Sequence, residues 1–321
     1  MTRPDPESAF DVQSQVRAPW RRYLDSLAPL RPDLHRYCVR LTGNVWDGED
    51  LVQDALMRVF SMMGRLDADL ENPRAYLLRT ATHLWIDRMR RRERERSLLA
   101  GGSAEPPQTG RDDPSRTAEV RDAAGALLGA LPPRERAALL LKDVFDLSLE
   151  ETAALLQTTV GAVKAALHRG RGRLEASDPS DATVLPDRAV VERFMKALAS
   201  RDLDALESIC SADLAVELVG GAQSDTFEQS RSFFAHAHMV LPKLGFGENP
   251  HWKLAEYRGE PIVLGFRTLD GVEGLNEIHR IEEVDGCIQR VRCYCFSPDV
   301  LATVAAELGL TALRRPYRSP G

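Results

Sequence analysis

The chain has 321 residues, enough for two or three domains, and 43% apolar with 28% charged residues suits packed cores rather than a disordered or fibrous chain. Its formal net charge of −6 excludes a surface coated in basic residues, so any nucleic-acid contact must come from a local strip. Five cysteines are an odd number, and no apolar run is long enough to span a membrane; the expectation is a cytoplasmic chain with reduced thiols, no disulfide framework and no membrane contact.

Residues 1–19 are polar and proline-bearing and read as a disordered leader. A helical domain is predicted over 20–96. Pro32-Asp33 starts a helix carrying Leu34, Tyr37, Cys38 and Leu41, and Gly43-Asn44 stops it. In DGEDLVQDALMRVF, Leu51, Val52, Ala55, Leu56 and Val59 share the inward face of the next helix. Asp47, Glu49, Asp50, Gln53 and Asp54 form an acidic outer edge, which is also what a helix dipole favours in a first turn. Asn72-Pro73 opens a third helix, 73–96, whose apolar face holds Leu77, Leu78, Ala81, Leu84, Trp85 and Met89. It ends in Arg88, Arg90, Arg91, Arg92, Arg94 and Arg96. Arginines near a helix C-terminus stabilise it locally, yet beside Thr82, His83 and Trp85 they also suit single-stranded nucleic acid, pairing with phosphates while bases stack on rings.

Residues 97–117 are rich in Gly, Pro, Ser and Asp and read as a flexible linker. A second helical domain is predicted over 118–176. Within it, LSLEETAALLQTTVGAVKAALHRGRGRL reads as two short helices joined by a turn. Ser148 caps the first, and Thr158 or Thr159 the second. Val160, Val163, Leu167 and Leu174 face inward, leaving Lys164, His168, Arg169, Arg171 and Arg173 outside. This is the helix-turn-helix pattern, with an outer face for phosphates and first turns that reach base edges. A solvated basic face is the plainer alternative from that segment alone.

Residues 187–300 form a separate predicted domain, with 12 Lys+Arg against 19 Asp+Glu up to Asp299. Two helices within 187–210, a strand at 214–219 and a helix at 227–238 precede four alternating strands at 252–257, 261–268, 274–283 and 287–296. Cys293 and Cys295 share a strand face with His279 as the one tempting partner. Two thiols are too few for a metal site, and core packing is the preferred reading, so no metal or cofactor is expected. A short helix from Pro298 and a basic tail, Arg314, Arg315 and Arg318, complete the region 301–321.

The order DGEDLVQDALMRVF, PRAYLLRTATHLWIDRMRRR, polar linker, then LPPRERAALLLKDVFDLSLEETAALLQTTVGAVKAALHRGRGRL resembles the extracytoplasmic-function (ECF) class of RNA polymerase sigma factors over roughly 24–176. The resemblance implies two all-α domains, no catalysis, and core RNA polymerase and promoter DNA as partners. The helix around Asp50, Leu51, Gln53 and Asp54 is similar to the segment that docks on the polymerase clamp. Arg79–Arg92 is similar to the part that recognises and melts the −10 element, and Thr158–Arg173 to the −35 reader. Three positions depart from the family pattern. Thr82-His83 stand where Asn is usual, Gln157 replaces a turn Gly, and Ala162, Ala165 and Ala166 occupy places where polar readers are common. Readout then leans on Thr159, Lys164 and His168 and on DNA shape.

VERFMKALASRDLDALESICSADLAVEL resembles the SnoaL-like family of the NTF2-like α+β fold, which some sigma factors of this class carry as an appended domain. Such a sheet curls around a cone-shaped pocket. Phe194, Glu217, Phe233, Trp252, Tyr257, Phe266, His279 and Tyr294 are the inward candidates, for a small apolar ligand. Glu217 and His279 are the acid–base pair to watch, although a structural role for both is preferred. Two rival readings stay open: a ligand-responsive repressor or activator acting without polymerase, and a SnoaL-like enzyme with a DNA-binding appendage.

Overall fold

The computed structural model describes residues 27–66, 72–99, 131–174, 185–220, 223–224, 226–231, 234 and 247–313. The leader, the linker from residue 100 and the basic tail lie outside these residues, while 97–99 of the expected linker continue a helix. The chain divides into two compact units, one holding residues 25–182 and the other residues 183–321.

In the first unit, α1 (Arg31–Thr42) ends at Gly43, whose φ of 92° is the left-handed cap a glycine adopts without cost. Asn44 starts α2 (Val45–Leu66), its side-chain oxygen accepting the Asp47 N–H at 2.7 Å. The five apolar residues expected to face inward, Leu51, Val52, Ala55, Leu56 and Val59, are all buried. α3 (Pro73–Leu99) begins as its Asn72-Pro73 pair predicts, with the Ala75 N–H donating to Asn72 Oδ1 at 3.0 Å. Leu77, Leu78, Ala81 and Trp85 are buried, and Leu84 and Met89 half-buried.

α4 (Pro133–Leu139) runs into a wider π turn, Leu140–Val144. Then α5 (Leu149–Leu155) and α6 (Val160–Leu174) form the helix-turn-helix. Ser148 builds a full capping box on α5: its hydroxyl accepts the Glu151 N–H at 3.0 Å and its own N–H donates to Glu151 Oε2 at 2.7 Å. Gln157 holds the turn at φ 48°, the left-handed conformation in which Gly is usual. At Gly170 a Cβ would lie 2.7 Å from Leu139 Cδ1, so the glycine lets α6 close on α4.

The second unit is α+β. α7 (Arg188–Ser200) and α8 (Leu203–Ile209) are capped by Asp187 and Asp202, whose carboxylates accept the Ala189 and Ala205 N–H groups. They lead into a six-stranded sheet of β1 (Cys210–Leu218), β2 (Gln223–Ser224), β3 (Glu248–Tyr257), β4 (Glu260–Leu269), β5 (Val272–Val284) and β6 (Cys287–Cys293). The strand order is β2-β1-β6-β5-β4-β3. β3 to β6 form an antiparallel meander, while β1 lies parallel to β6. The sheet is therefore mixed, because the chain enters it once from the helices and returns only at its last strand. Of the helix expected over 227–238, residues 227–231 and 234 are described and helical. α7 packs over β3 and β4, and α9 (Pro298–Glu307) packs on β5. Two helices followed by this sheet fit the NTF2-like expectation.

Candidate nucleic-acid interface and C-terminal site

Burial sorts the acidic edge of α2. Asp47, Asp50 and Gln53 are half-buried and Asp54 is exposed. Glu49 is not on the edge, as expected from the sequence, but fully buried. It accepts from Arg31, takes a 2.7 Å hydrogen bond from Gln53 Nε2 and lies 3.7 Å from His35 Nε2. A carboxylate one helical step nearer the core is drawn inward by a cation there. Leu51 is likewise a core residue and supports the edge from below.

The arginine-rich end of α3 is exposed at Arg90, Arg91, Arg92 and Arg94, and half-buried at Arg88. Arg88 donates to Asp54 at 2.6 Å and Arg90 lies 3.6 Å from Asp87. Arg79 sits over the Tyr76 ring at 4.9 Å. His83 is half-buried; burial and then the Arg79 charge hold it below the ordinary histidine value, so it is neutral at pH 7. Two residues offered for base stacking are core, Trp85 as its place on the apolar face also predicts. Thr82 is fully buried, sharing a 2.7 Å hydrogen bond with the Tyr37 hydroxyl and donating to the Leu78 carbonyl at 2.7 Å. Trp85 is 3% exposed, with the Arg136 guanidinium 5.5 Å above its ring. Their place on the apolar stripe of α3 decided the matter against base stacking.

Arg136 is one of several contacts that join the two helical domains within the first unit. Its Nη1 donates to the Leu41 carbonyl at 2.7 Å. Burial lowers its pKa to about 10, so it stays charged at neutral pH. Phe145 meets Tyr37 edge-on at 5.3 Å and lies under Arg36 at 5.7 Å.

On α6, Thr159 caps the first turn through the Ala162 N–H at 3.2 Å, and Thr158 is half-buried beside it. Lys164 and His168 are exposed. The other basic residues are not a free outer face. Arg169 and Arg173 both bind Glu135 on α4, at 2.8 and 2.6 Å, and Arg171 forks onto Asp143 at 2.8 and 3.0 Å. Glu135 is itself buried, and a buried carboxylate recruits cations from the nearest helix. The side chain of Leu174 lies outside the described ones.

The C-terminal candidates divide between the two faces of the sheet. Phe194, Trp252 and His279 lie on the face that α7 covers. Phe194 and His279 rings are 6.0 Å apart, and Trp252 packs against the same apolar cluster. Glu217 does not join His279. It pairs with Arg292 at 2.8 Å on the opposite face, since its register partner is Arg292 while His279 pairs with Cys293. Tyr294 stacks under Arg292 there, at 5.6 Å. Phe266 also turns away, stacked on His251 at 5.2 Å and under Lys253 at 4.9 Å. Tyr257 alternates with Trp252 and Leu254 along an unbroken ladder and so faces away from α7. Phe233 is outside the described residues; its neighbour Phe234 is described and lies 6.3 Å from Phe194.

The carboxylate beside His279 is Glu277, its neighbour two residues back on β5, at 4.0 Å. Trp252 Nε1 donates to Glu277 Oε1 at 3.1 Å, and Arg267 Nη2 is 3.8 Å from the same oxygen. Strand alternation makes Glu277 and His279 face mates, and this i, i+2 spacing was the readable signal. Arg267 shares that face two residues past Gly265 on β4, and the bulge at Asn276 of β5 sets what it meets across the ladder. Cys293 and Cys295 pack with Phe296 and Leu218, as core residues.

Residues 27–95 match the Sigma-70 region 2 model and residues 121–174 the Sigma-70 region 4 model. The ECF RNA polymerase sigma factor SigW of Bacillus subtilis is 30% identical over 162 residues, 86% of its length and 47% of this chain. The chain belongs to the ECF family of RNA polymerase sigma factors. This sigma factor is also 34% identical to SigJ of Mycobacterium tuberculosis over 195 residues, 58% of this chain, and 32% identical to SigG of the same organism over 220 residues, 59% of this chain. It spans 61% and 59% of the lengths of those two relatives. The crystal structure of SigJ is similar at 24% identity, covering 84% of this chain and 95% of that one, with a TM-score of 0.33. Among the described residues no helix is long and apolar enough to cross a membrane.

Proposed function

We propose that this sigma factor binds core RNA polymerase in the cytoplasm, selects promoters through two DNA-reading domains and performs no chemistry itself. The observation that carries the reading is the pairing, in one chain, of an arginine-ended α3 with a capped helix-turn-helix whose second helix leaves its first turns exposed. His83, Arg88, Arg90, Arg91 and Arg92, with Arg79 at the margin, meet the −10 element. Thr158, Thr159, Lys164 and His168 reach the −35 element, and Arg169 and Arg171 join them on release from Glu135 and Asp143. Asp47, Asp50, Gln53 and Asp54 dock on polymerase, with Glu49 and Leu51 holding that edge in place. The corresponding divisions are 1–19, 20–96, 97–117, 118–176, 187–300 and 301–321, the fifth being a regulatory domain fused immediately after the −35 reader.

Run-off transcription with purified core polymerase and a promoter library tests this, with full-length protein and a 1–186 truncation side by side. Specific transcripts from full-length protein are expected, and a different yield from the truncation gives the sign of the C-terminal control. No transcripts together with no polymerase binding, while promoter duplex is still bound, would replace this reading with that of a repressor.

A further inference from the structure

The face of the C-terminal sheet under α7 holds a charged cluster that nothing in promoter recognition uses. Arg267, Glu277 and His279 are each at most 3% exposed, on adjacent strands β4 and β5. The cluster is built rather than accidental. Gly265 stands opposite Glu277, and a Cβ there would come within 2.3 Å of Glu277 Cγ, so only glycine lets the carboxylate lie across β4. Trp252 then fixes that carboxylate with its 3.1 Å hydrogen bond.

Donors outnumber acceptors. Arg267 Nε and Nη1 and both ring nitrogens of His279 are buried and meet no hydrogen-bond partner among the described residues. Arg267 touches Glu277 only through Nη2, at 3.8 Å. One carboxylate therefore faces a guanidinium and an imidazole, and burying such donors without acceptors costs several times what a satisfied pair contributes. The missing complement is an anion, whose oxygens a buried guanidinium and imidazole meet with charge-assisted hydrogen bonds. The surroundings are apolar: Phe194 is 6.0 Å from His279, Val263 is its register partner, and Phe234 lies 6.3 Å from Phe194.

We propose that this face binds a small carboxylic acid with an apolar body, its head group held by Arg267 and His279. The proposal deepens the reading of the C-terminal domain as the regulatory part of the chain. A divalent cation is the competing occupant, since ligand atoms of Glu277, His279 and Cys293 lie within 4.8 Å of one another. The Arg267 guanidinium beside the shared carboxylate opposes added positive charge, and a cation leaves the unmatched donors unmatched.

Isothermal titration calorimetry on the full-length protein tests the assignment with four probes: sodium decanoate, decan-1-ol, sodium acetate and zinc chloride. Decanoate is expected to bind one per chain, with decan-1-ol and acetate at least about tenfold weaker, because each lacks either the charge or the body. Arg267→Gln and His279→Gln should each weaken decanoate at least about tenfold. Arg267→Lys, which keeps the charge, covers the case in which the glutamine variant does not fold, and should retain part of the affinity. Equal affinity for decanoate and decan-1-ol, no decanoate binding, or stoichiometric zinc binding lost on Cys293→Ser would each overturn the proposal. Run-off transcription without any probe keeps the two readings apart, since the sigma activity stands or falls there independently of the calorimetry.

Discussion

Arg171 of the helical unit and Arg267 of the C-terminal unit stand in opposite settings. Arg171 reaches across to the Asp143 carboxylate while remaining largely in solvent. In the C-terminal unit, Arg267 and its carboxylate are inside the protein. Exposed pairs contribute about 0–1 kcal/mol, whereas stranding one member of a buried pair costs about 3–5 kcal/mol. The first setting gives charges that a nucleic acid can compete for; the second gives a cluster whose every member constrains the others. The sharpest break of this contrast is Glu277→Ala. It should destabilise the C-terminal unit by about 3–5 kcal/mol, read from denaturant or calorimetric unfolding, by leaving Arg267 without its counter-charge. A loss below about 1 kcal/mol would mean the cluster is hydrated and behaves like the surface pairs.

The pH dependence of that unit follows from the same residues. Burial disfavours the charged form of both groups. For Glu277, His279, Arg267 and Trp252 outweigh it and hold the carboxyl below 4.5; for His279, Cys293 and Glu277 outweigh it and raise the imidazole above 6.5. Glu277 thus contributes stability above pH 4.5 that is lost as pH falls through its lowered value. His279 contributes stability below pH 6.5 that is lost as pH climbs through its raised value. His279→Gln should flatten the alkaline decline in unfolding midpoint and leave the acid one; an unchanged alkaline arm would show that His279 is neutral in the folded chain.

A middle case is Arg136, buried and bonded to a backbone carbonyl. Arg136→Ala removes the 2.7 Å bond to Leu41 and the cation over Trp85. The expected loss is about 1.5–3 kcal/mol in the first unit, with Trp85 becoming accessible to acrylamide quenching. Unaltered quenching would show that the helical domains stay packed without this contact.

The helical unit was legible because its signals are local. A periodic apolar stripe, an Asn-Pro start and a Ser-x-x-Glu box each act within a turn or two of helix, and the structure puts buried residues, cap and capping box where those patterns do. Failures came where a charge or ring was assigned to a surface by type. Glu49 and Trp85 sit on buried positions of their helices, and their partners Arg31 and Arg136 are 18 and 51 residues away in sequence. Pairings at that separation leave no trace in a local pattern. The C-terminal site was half legible. Alternation puts Glu277 with His279, but the face of Glu217 depends on the parallel register of β1 and β6, and what Arg267 meets across the ladder depends on a bulge in β5. The capping box offers the cleanest check of a locally read feature. Ser148→Ala should cost about 1 kcal/mol. The Ser148 N–H and then its hydroxyl hold the Glu151 carboxyl below its ordinary value; the variant keeps the N–H, so it should lose only the hydroxyl's share of the stability that disappears as pH falls through that value.

The smallest effects belong to α6, and they separate its basic residues by what each must give up. Lys164 is exposed, and no carboxylate lies within ion-pair reach of it among the described residues. Its charge is ready for a phosphate, so Lys164→Ala should lower the slope of log affinity against log salt by about 1 on promoter DNA, with little change in stability. Arg171 is held by three hydrogen bonds to Asp143, so a phosphate must displace that carboxylate first. Arg171→Ala should therefore shift the salt slope less than Lys164→Ala does, and stability by less than about 1 kcal/mol. Asp143→Ala is the reciprocal case: it releases Arg171 and should steepen the slope. If Asp143→Ala leaves the slope unchanged, Arg171 does not face the DNA, and contact along this helix is confined to its first turns around Thr159 and Lys164.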